Sequence, residues 1–112
     1  MPPEDRVRIL HIIEAIEAAQ QFIRDRDRAE LDSNKLLLFA LIRAIEIVGE
    51  AAGRISERTR DATGQIPWAL IVSMRNRLIH AYFDIDHDTL WKTATEELPK
   101  LLPELRKLLT GS

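Results

Sequence analysis

Between Leu36 and Val48 only Arg43 and Glu46 interrupt an apolar stretch, and this feature constrains the fold more than any other part of the chain. It lies in a helix expected over about Ser33 to Ile55, so that helix is apolar nearly all the way round and needs two partners. One face can meet the core of its own domain. The other meets a second copy of the chain, making a homodimer, or else the helix is a central one buried within a single chain. The wholly apolar part, Leu36 to Ile42, ends at Arg43. It falls far short of the ~20 residues that span a bilayer, so no membrane segment is expected.

The rest of the chain carries the same helical period. Ile9, Ile12, Ile16, Ala19 and Ile23 recur at steps of three and four, which predicts a first helix over Val7 to Ile23. A charged linker, Arg24 to Glu30, follows, and Asp32, Ser33 and Asn34 offer caps for the apolar helix. Ser56 to Pro67 reads as a short frayed helix and a loop, with Pro67 suited to the first turn of a third helix that runs to about His80 to Phe83. Its apolar stripe is Trp68, Ile71, Met74 or Val72, Leu78 and Tyr82. After the acidic stretch Asp84 to Asp88, Leu90, Ala94, Leu98, Leu101, Leu105 and Leu108 mark a fourth helix, which Pro99 and Pro103 should bend or break. No segment has a strand period. The 112 residues can bury roughly two thirds of their unfolded surface, so residues 1–112 form a single all-α domain, a helix bundle.

Composition excludes several functions. There is no cysteine, hence no disulfide or thiolate zinc site, which fits a reducing compartment. The start, MPPEDRVRIL, is too charged for a secretory leader, so a cytoplasmic location is expected. Sixteen basic against eighteen acidic residues and a pI near 5.9 disfavour generic polyanion binding. Nucleic acid would have to be met by a local basic site.

Polar chemistry concentrates in MRNRLIHAYFDID, where Arg75, Asn76, Arg77, His80 and Tyr82 cluster near Ser73 and three aspartates. A Ser73–His80–Asp84 triad is refused by geometry, since seven residues of helix span about 10.5 Å while a nucleophile must lie within ~3 Å of its base. A calcium loop from Asp84, Asp86 and Asp88 fails because Thr89 stands where glycine is needed and Thr95 where glutamate is needed. Asp86 or Asp88 is better read as a helix cap. His11 and His87 have no matched ligand spacing and read as surface histidines. No metal site is expected.

On a continuous helix Asn76 and His80 are an i, i+4 pair that would share a face, whereas Arg75 is turned from His80 by about 140°. With that offset the two converge through arginine's length, through fraying of the helix near residue 80 or through donation across a dimer, and the last suggests a site composed from two chains. An arginine and a histidine suit RNA cleavage, because RNA brings its own nucleophile in the 2′-hydroxyl. The imidazole then serves as general base or acid and the guanidinium stabilises charge developing on phosphorus, with no cofactor. The competing role is structural: Arg75 and Arg77 in surface ion pairs, and His80 and Tyr82 packed at a helix end.

Arg75-x4-His80-x-Tyr82 resembles the signature of HepT-like proteins in the HEPN superfamily of all-α domains. IEIVGEAAGRIS (Ile45 to Ser56) is similar to that family's central helix, IPW (Ile66 to Trp68) to the start of its motif helix, and DTLWKT to the start of its last helix. The resemblance implies an antiparallel four-helix bundle with a short extra helix, assembled as a two-fold homodimer whose motifs meet in a cleft. It implies a metal-independent ribonuclease toxin with Arg75 and His80 as the catalytic pair and Asn76 as a supporting polar residue. Tyr82 would be the hydroxyl to which a cognate minimal nucleotidyltransferase, the antitoxin, adds AMP. Ala81 stands where the family often has an acidic residue. The alternative is a catalytically silent helical module that binds and regulates a nucleotidyltransferase.

Overall fold

The computed structural model describes residues 1–81 and 84–111, with backbone alone at 79–81 and 84. Helix α1 spans Pro3–Ile23, opening on prolines with Glu4 and Asp5 in its first turn, where acidic groups favour a helix N-terminus. A single turn, α2 (Glu30–Ser33), precedes α3 (Lys35–Gly53). The helix expected from Ser33 to Ile55 is therefore split, because Asn34 leaves helical geometry and its Oδ1 accepts the Leu37 N–H at 3.1 Å. Helices α4 (Glu57–Ala62) and α5 (Trp68–Leu78) follow. Arg60 seals the end of α3 by donating from Nε to the Ile55 carbonyl and from Nη2 to the Ala52 carbonyl.

Two sequence expectations are corrected beyond α5. The third helix stops at Leu78 instead of running to His80 to Phe83, and Ile79–Ala81 (β1) pairs antiparallel with Asp84–Ile85 (β2). Ile79 faces Ile85 and Ala81 faces Asp84, with an irregular register between. The Asp86 N–H donates to the Leu78 carbonyl at 2.8 Å, closing the helix end. Residues 79–85, IHAYFDI, have a β-branched isoleucine at each end and two aromatic residues between, and such residues suit a ribbon better than a helix. The motif tyrosine, Tyr82, lies outside the described residues.

The second correction concerns the prolines. The chain is helical without interruption from His87 to Thr110, as α6 (His87–Lys92), a π-helical turn (Thr93–Glu97) and α7 (Leu98–Thr110). Pro99 has no N–H to give, and its ring crowds the carbonyl four residues back. The wide turn just before it relieves both problems: the Leu98 N–H reaches the Thr93 carbonyl, five residues back, and the Thr93 and Thr95 hydroxyls donate to the carbonyls of Thr89 and Trp91. The start of α6 matches the capping expectation, with Asp86 Oδ1 accepting the Thr89 N–H at 3.0 Å.

Helix α1 packs on α3 and on the π turn and α7, and α3 packs on α5. The core is a single cluster that includes Ile9, Ile12 and Ile16 of α1, Leu41, Ile45 and Val48 of α3, Ile71, Met74 and Leu78 of α5, and Leu98 and Leu105. Val72, offered by the sequence as an alternative to Met74, is exposed. The two-faced character of α3 is visible directly: Leu37, Leu41 and Val48 are buried, whereas Leu36 is 81% and Phe39 59% exposed.

One polar group is deep in this core. Asp5 is 3% exposed and accepts hydrogen bonds from the Ser56 N–H, the Ser56 hydroxyl and the Thr59 hydroxyl. Burial pushes its pKa up, but those donors outweigh burial and hold the carboxyl below its usual range, with the charge of Arg8 adding to them. The network continues, since the Thr63 hydroxyl donates to the Thr59 carbonyl and the Trp68 indole N–H donates to the Thr63 hydroxyl at 2.9 Å. Asp5→Ala should cost about 1–3 kcal/mol at neutral pH, because buried donors lose their acceptor. A depressed folded-state pKa gives stability that is present above the ordinary carboxylate range and lost as the pH falls through the folded value. Urea unfolding of parent and variant across an acid pH series should show the gap closing; a gap constant with pH would assign the effect to packing instead of charge.

Candidate functional site

The last turn of α5 carries Arg75, Asn76 and Arg77, and the core positions them. Trp68, Ile71, Met74 and Leu78 are buried at helical spacing, which turns Arg75 and Asn76 outward. Arg75 is 51% exposed in its side chain, and its Nε donates to Glu46 Oε2 of α3 at 3.2 Å. Glu46 is more enclosed, at 27%. An exposed pair of this kind contributes little to stability. Its effect is geometric, because it holds a guanidinium at the α3–α5 edge where it can exchange one anionic partner for another.

Arg77 points elsewhere. Its Nη2 lies 3.5 Å from Glu97 Oε2 of the π turn, so it joins α5 to the last helical run. Ser73, considered as a nucleophile and rejected on geometry, spends its hydroxyl on the Leu70 carbonyl at 2.9 Å.

His80 lies in β1, beyond the end of the helix. The i, i+4 relation with Asn76 and the 140° offset from Arg75 both assumed a continuous helix, and both lapse where α5 stops at Leu78. The backbone places His80 on the ribbon that leaves the helix directly after Arg75 and Asn76; its side chain is not among those described. Tyr82 lies outside the described residues.

The far end of the ribbon is tied down by charge. Asp32 of α2 accepts from Arg28 Nη1 at 3.0 Å and lies 2.8 Å from His87 Nδ1, and Arg28 Nε donates to Asp88 Oδ1 at 2.6 Å. The His87 contact, followed by that from Arg28, lowers the Asp32 pKa. The hydrogen bonds that Arg28 donates to Asp88 and then to Asp32 raise its own pKa. Thus His87 ties the start of α6 to Asp32 of α2 and Asp88 ties it to Arg28, while Asp86 caps it. Among the described residues, no three His, Asp or Glu side chains are gathered to hold a metal. Among them, no helix is long and apolar enough to cross a membrane.

Sequence reasoning singled out Arg75 and Asn76 but assigned no role to Glu46, the partner that places Arg75. Its signal was present, since Glu46 is one of only two charges interrupting the apolar stretch of α3.

The all-α core, with Arg75 on the last turn of α5 and His80 five residues on, is consistent with a domain of the HEPN type. The chain belongs to the ribonuclease HepT-like family, whose model matches residues 12–108. It is 41% identical over 97 residues to a Thermococcus cleftensis protein named "Probable ribonuclease HepT", covering 87% of this chain and 88% of that one. Two Methanocaldococcus jannaschii proteins with provisional RNase names are also similar. One is 40% identical over 94 residues, 84% of this chain and 86% of its own. The other is 34% identical over 110 residues, 97% and 95%. No solved structure matches the chain significantly.

Proposed function

We propose that the protein is a metal-independent endoribonuclease, the toxin of a HepT/MntA-type toxin–antitoxin pair, acting on RNA in the cytoplasm. The enzyme class follows from family membership. The observation that carries the mechanism is the placement of Arg75, half exposed on the last turn of α5 and paired with Glu46, shortly before the ribbon that bears His80.

The chemistry needs little else. His80 accepts the proton of the RNA 2′-hydroxyl, whose oxygen attacks the adjacent phosphorus. The new 2′-O–P bond forms as the P–O5′ bond breaks, and the 5′-oxygen takes up a proton, leaving a cyclic phosphate and a free 5′-hydroxyl. Arg75 leaves Glu46 for the phosphate oxygens and stabilises the negative charge that grows on them. Asn76, exposed one residue further along, supports this pair. Replacing either His80 or Arg75 by alanine should lower the rate of RNA cleavage by ~10²- to 10⁴-fold without loss of fold, and EDTA should leave the parent unaffected. Cleavage that stopped on chelation, or that survived in both variants, would overturn the mechanism.

The working unit we propose is a two-fold homodimer of antiparallel four-helix bundles with the motifs facing one cleft. Support comes from α3, whose second face leaves Leu36 and Phe39 in solvent although its first face is fully used. Light scattering should report twice 12.9 kDa at micromolar concentration; a monomer there would remove the dimer from the proposal.

Tyr82 is the proposed control point, accepting AMP on its hydroxyl from the cognate minimal nucleotidyltransferase antitoxin. The added group would bring bulk and negative charge to a site that must receive a polyanion. With that enzyme, ATP and Mg²⁺, mass spectrometry should find AMP on Tyr82 and cleavage should fall. Tyr82→Phe should cleave RNA and escape the covalent suppression. An unmodified Tyr82 in inhibited protein would mean that the antitoxin acts by occlusion. A second reading, a catalytically silent module that regulates the nucleotidyltransferase, draws support from the acidic pI near 5.9, and RNA cleavage by the purified chain separates the two.

A further inference from the structure

A concentration of positive charge lies outside the motif, between α1 and α3. A cleft of about 210 Å³ there is lined by Arg8 and His11 of α1, by Arg43, Ile47 and Glu50 of α3, and by Arg54 at the end of α3. Three guanidiniums face one carboxylate, in a protein whose formal net charge is −2. Glu50 offsets only part of this charge, through a 3.4 Å contact with Arg43. Arg8 lines the cleft with its Nε packed beneath the surface, where it makes no hydrogen bond among the described residues, as is also true of Arg77 Nε and Nη2.

We propose that this α1–α3 cleft is a phosphate-binding subsite that holds the backbone of single-stranded RNA beside the cleavage site. The inference rests on the ribonuclease reading for its ligand, and on the charge and the cavity for its location. Guanidinium forks match phosphate oxygens bidentately, and the one carboxylate lining this cavity, Glu50, cannot balance its three guanidiniums. The cleft is too small for a partner helix about 10 Å across but has room for a single phosphate group.

Its position on α3 connects it to the motif. Glu46, the partner of Arg75, stands one turn from both Arg43 and Glu50, at i+3 and i−4. A strand lying across α3 therefore meets Arg75 on the α5 side and the Arg43–Arg54 side chains on the α1 side. The local basic site that an acidic chain needs in order to hold RNA is then built from two helices that carry none of the motif residues. Contacts remote from the reacting phosphate bind ground state and transition state alike, so they set KM and leave kcat alone.

The test uses Arg43→Gln with Arg54→Gln, both exposed side chains, and spares Arg8, whose charge also supports the Asp5 carboxylate. Binding is read with a short fluorescein-labelled oligouridylate and the full chain carrying His80→Ala, so that the RNA stays intact. The double variant should raise Kd roughly 10-fold and reduce the slope of log K against log salt by about 0.7, the value for one phosphate on a single strand. In the cleavage-competent chain KM should rise by the same factor at constant kcat, and Arg43→Lys with Arg54→Lys should restore part of the affinity and the slope. Unchanged Kd and salt slope would overturn the subsite whatever the cleavage result. So would loss of nucleotidyltransferase binding at unchanged RNA affinity, which would make the cleft a protein contact. A chain that binds RNA through the cleft yet cleaves none would overturn the ribonuclease reading and leave the subsite standing.

Discussion

A buried carboxylate sets the frame on which the rest of this structure depends. Asp5 enters the core at the first turn of α1, where the helix N-terminus already favours negative charge, and is satisfied by Ser56 and Thr59. Those two residues also begin α4, with Ser56 Oγ accepting the Thr59 N–H. Thr63 and the Trp68 indole extend the chain of hydrogen bonds to the first residue of α5. Removing any link leaves a buried donor or acceptor unmatched, so the start of α1, the α4 turn and the origin of α5 are set together. The rotation of α5 about its axis follows, and with it the side on which Arg75 emerges.

The same economy of positions governs α3. Its inner stripe packs on α1 and α5, and the few charges in its sequence occur where the helix surface must meet something polar. Glu46 meets Arg75, and Arg43 meets Glu50 at the mouth of the basic cleft. Leu36 and Phe39 remain in water toward the start of the helix, where Leu36 shares a pocket with Phe22. One helix thus separates three surfaces, two polar edges and an apolar end, and a proposal for function has to give each an occupant. The motif edge and the cleft suit RNA; the apolar end suits a second copy of the chain.

The last helical run shows how local conflict is resolved without breaking the element. Two prolines in a strongly periodic apolar stretch satisfy the core and frustrate the backbone. Burial of Ala94, Leu98, Leu102 and Leu105 rewards continuity, and the backbone adapts by widening one turn. Tertiary packing outweighed the local breaker because the lost hydrogen bond can be recovered by a five-residue reach, whereas exposing those leucines has no such remedy.

Periodicity and composition alone determined the all-α character, the inward stripes of α1 and α5, and the presence of a cap among Asp32, Ser33 and Asn34 and at Asp86 or Asp88, from which the tertiary structure took Asn34 and Asp86. These depend on neighbours within one or two turns, and side-chain spacing encodes them directly. The family resemblance was equally legible, since Arg75, His80 and Tyr82 are a spacing in one dimension. Only the tertiary structure decided where α5 ends, because the competition between a further helical turn and a ribbon is settled by Ile79 pairing with Ile85 and by Asp86 closing on Leu78. It alone decided that Glu46 holds Arg75, that Asp32 gathers Arg28 and His87, and that Arg8, Arg43 and Arg54 share one cleft. The Arg75–Glu46 and His87–Asp32 contacts join residues 29 and 55 positions apart and the cleft joins two separate helices, and long-range Coulombic partners leave no period in a sequence.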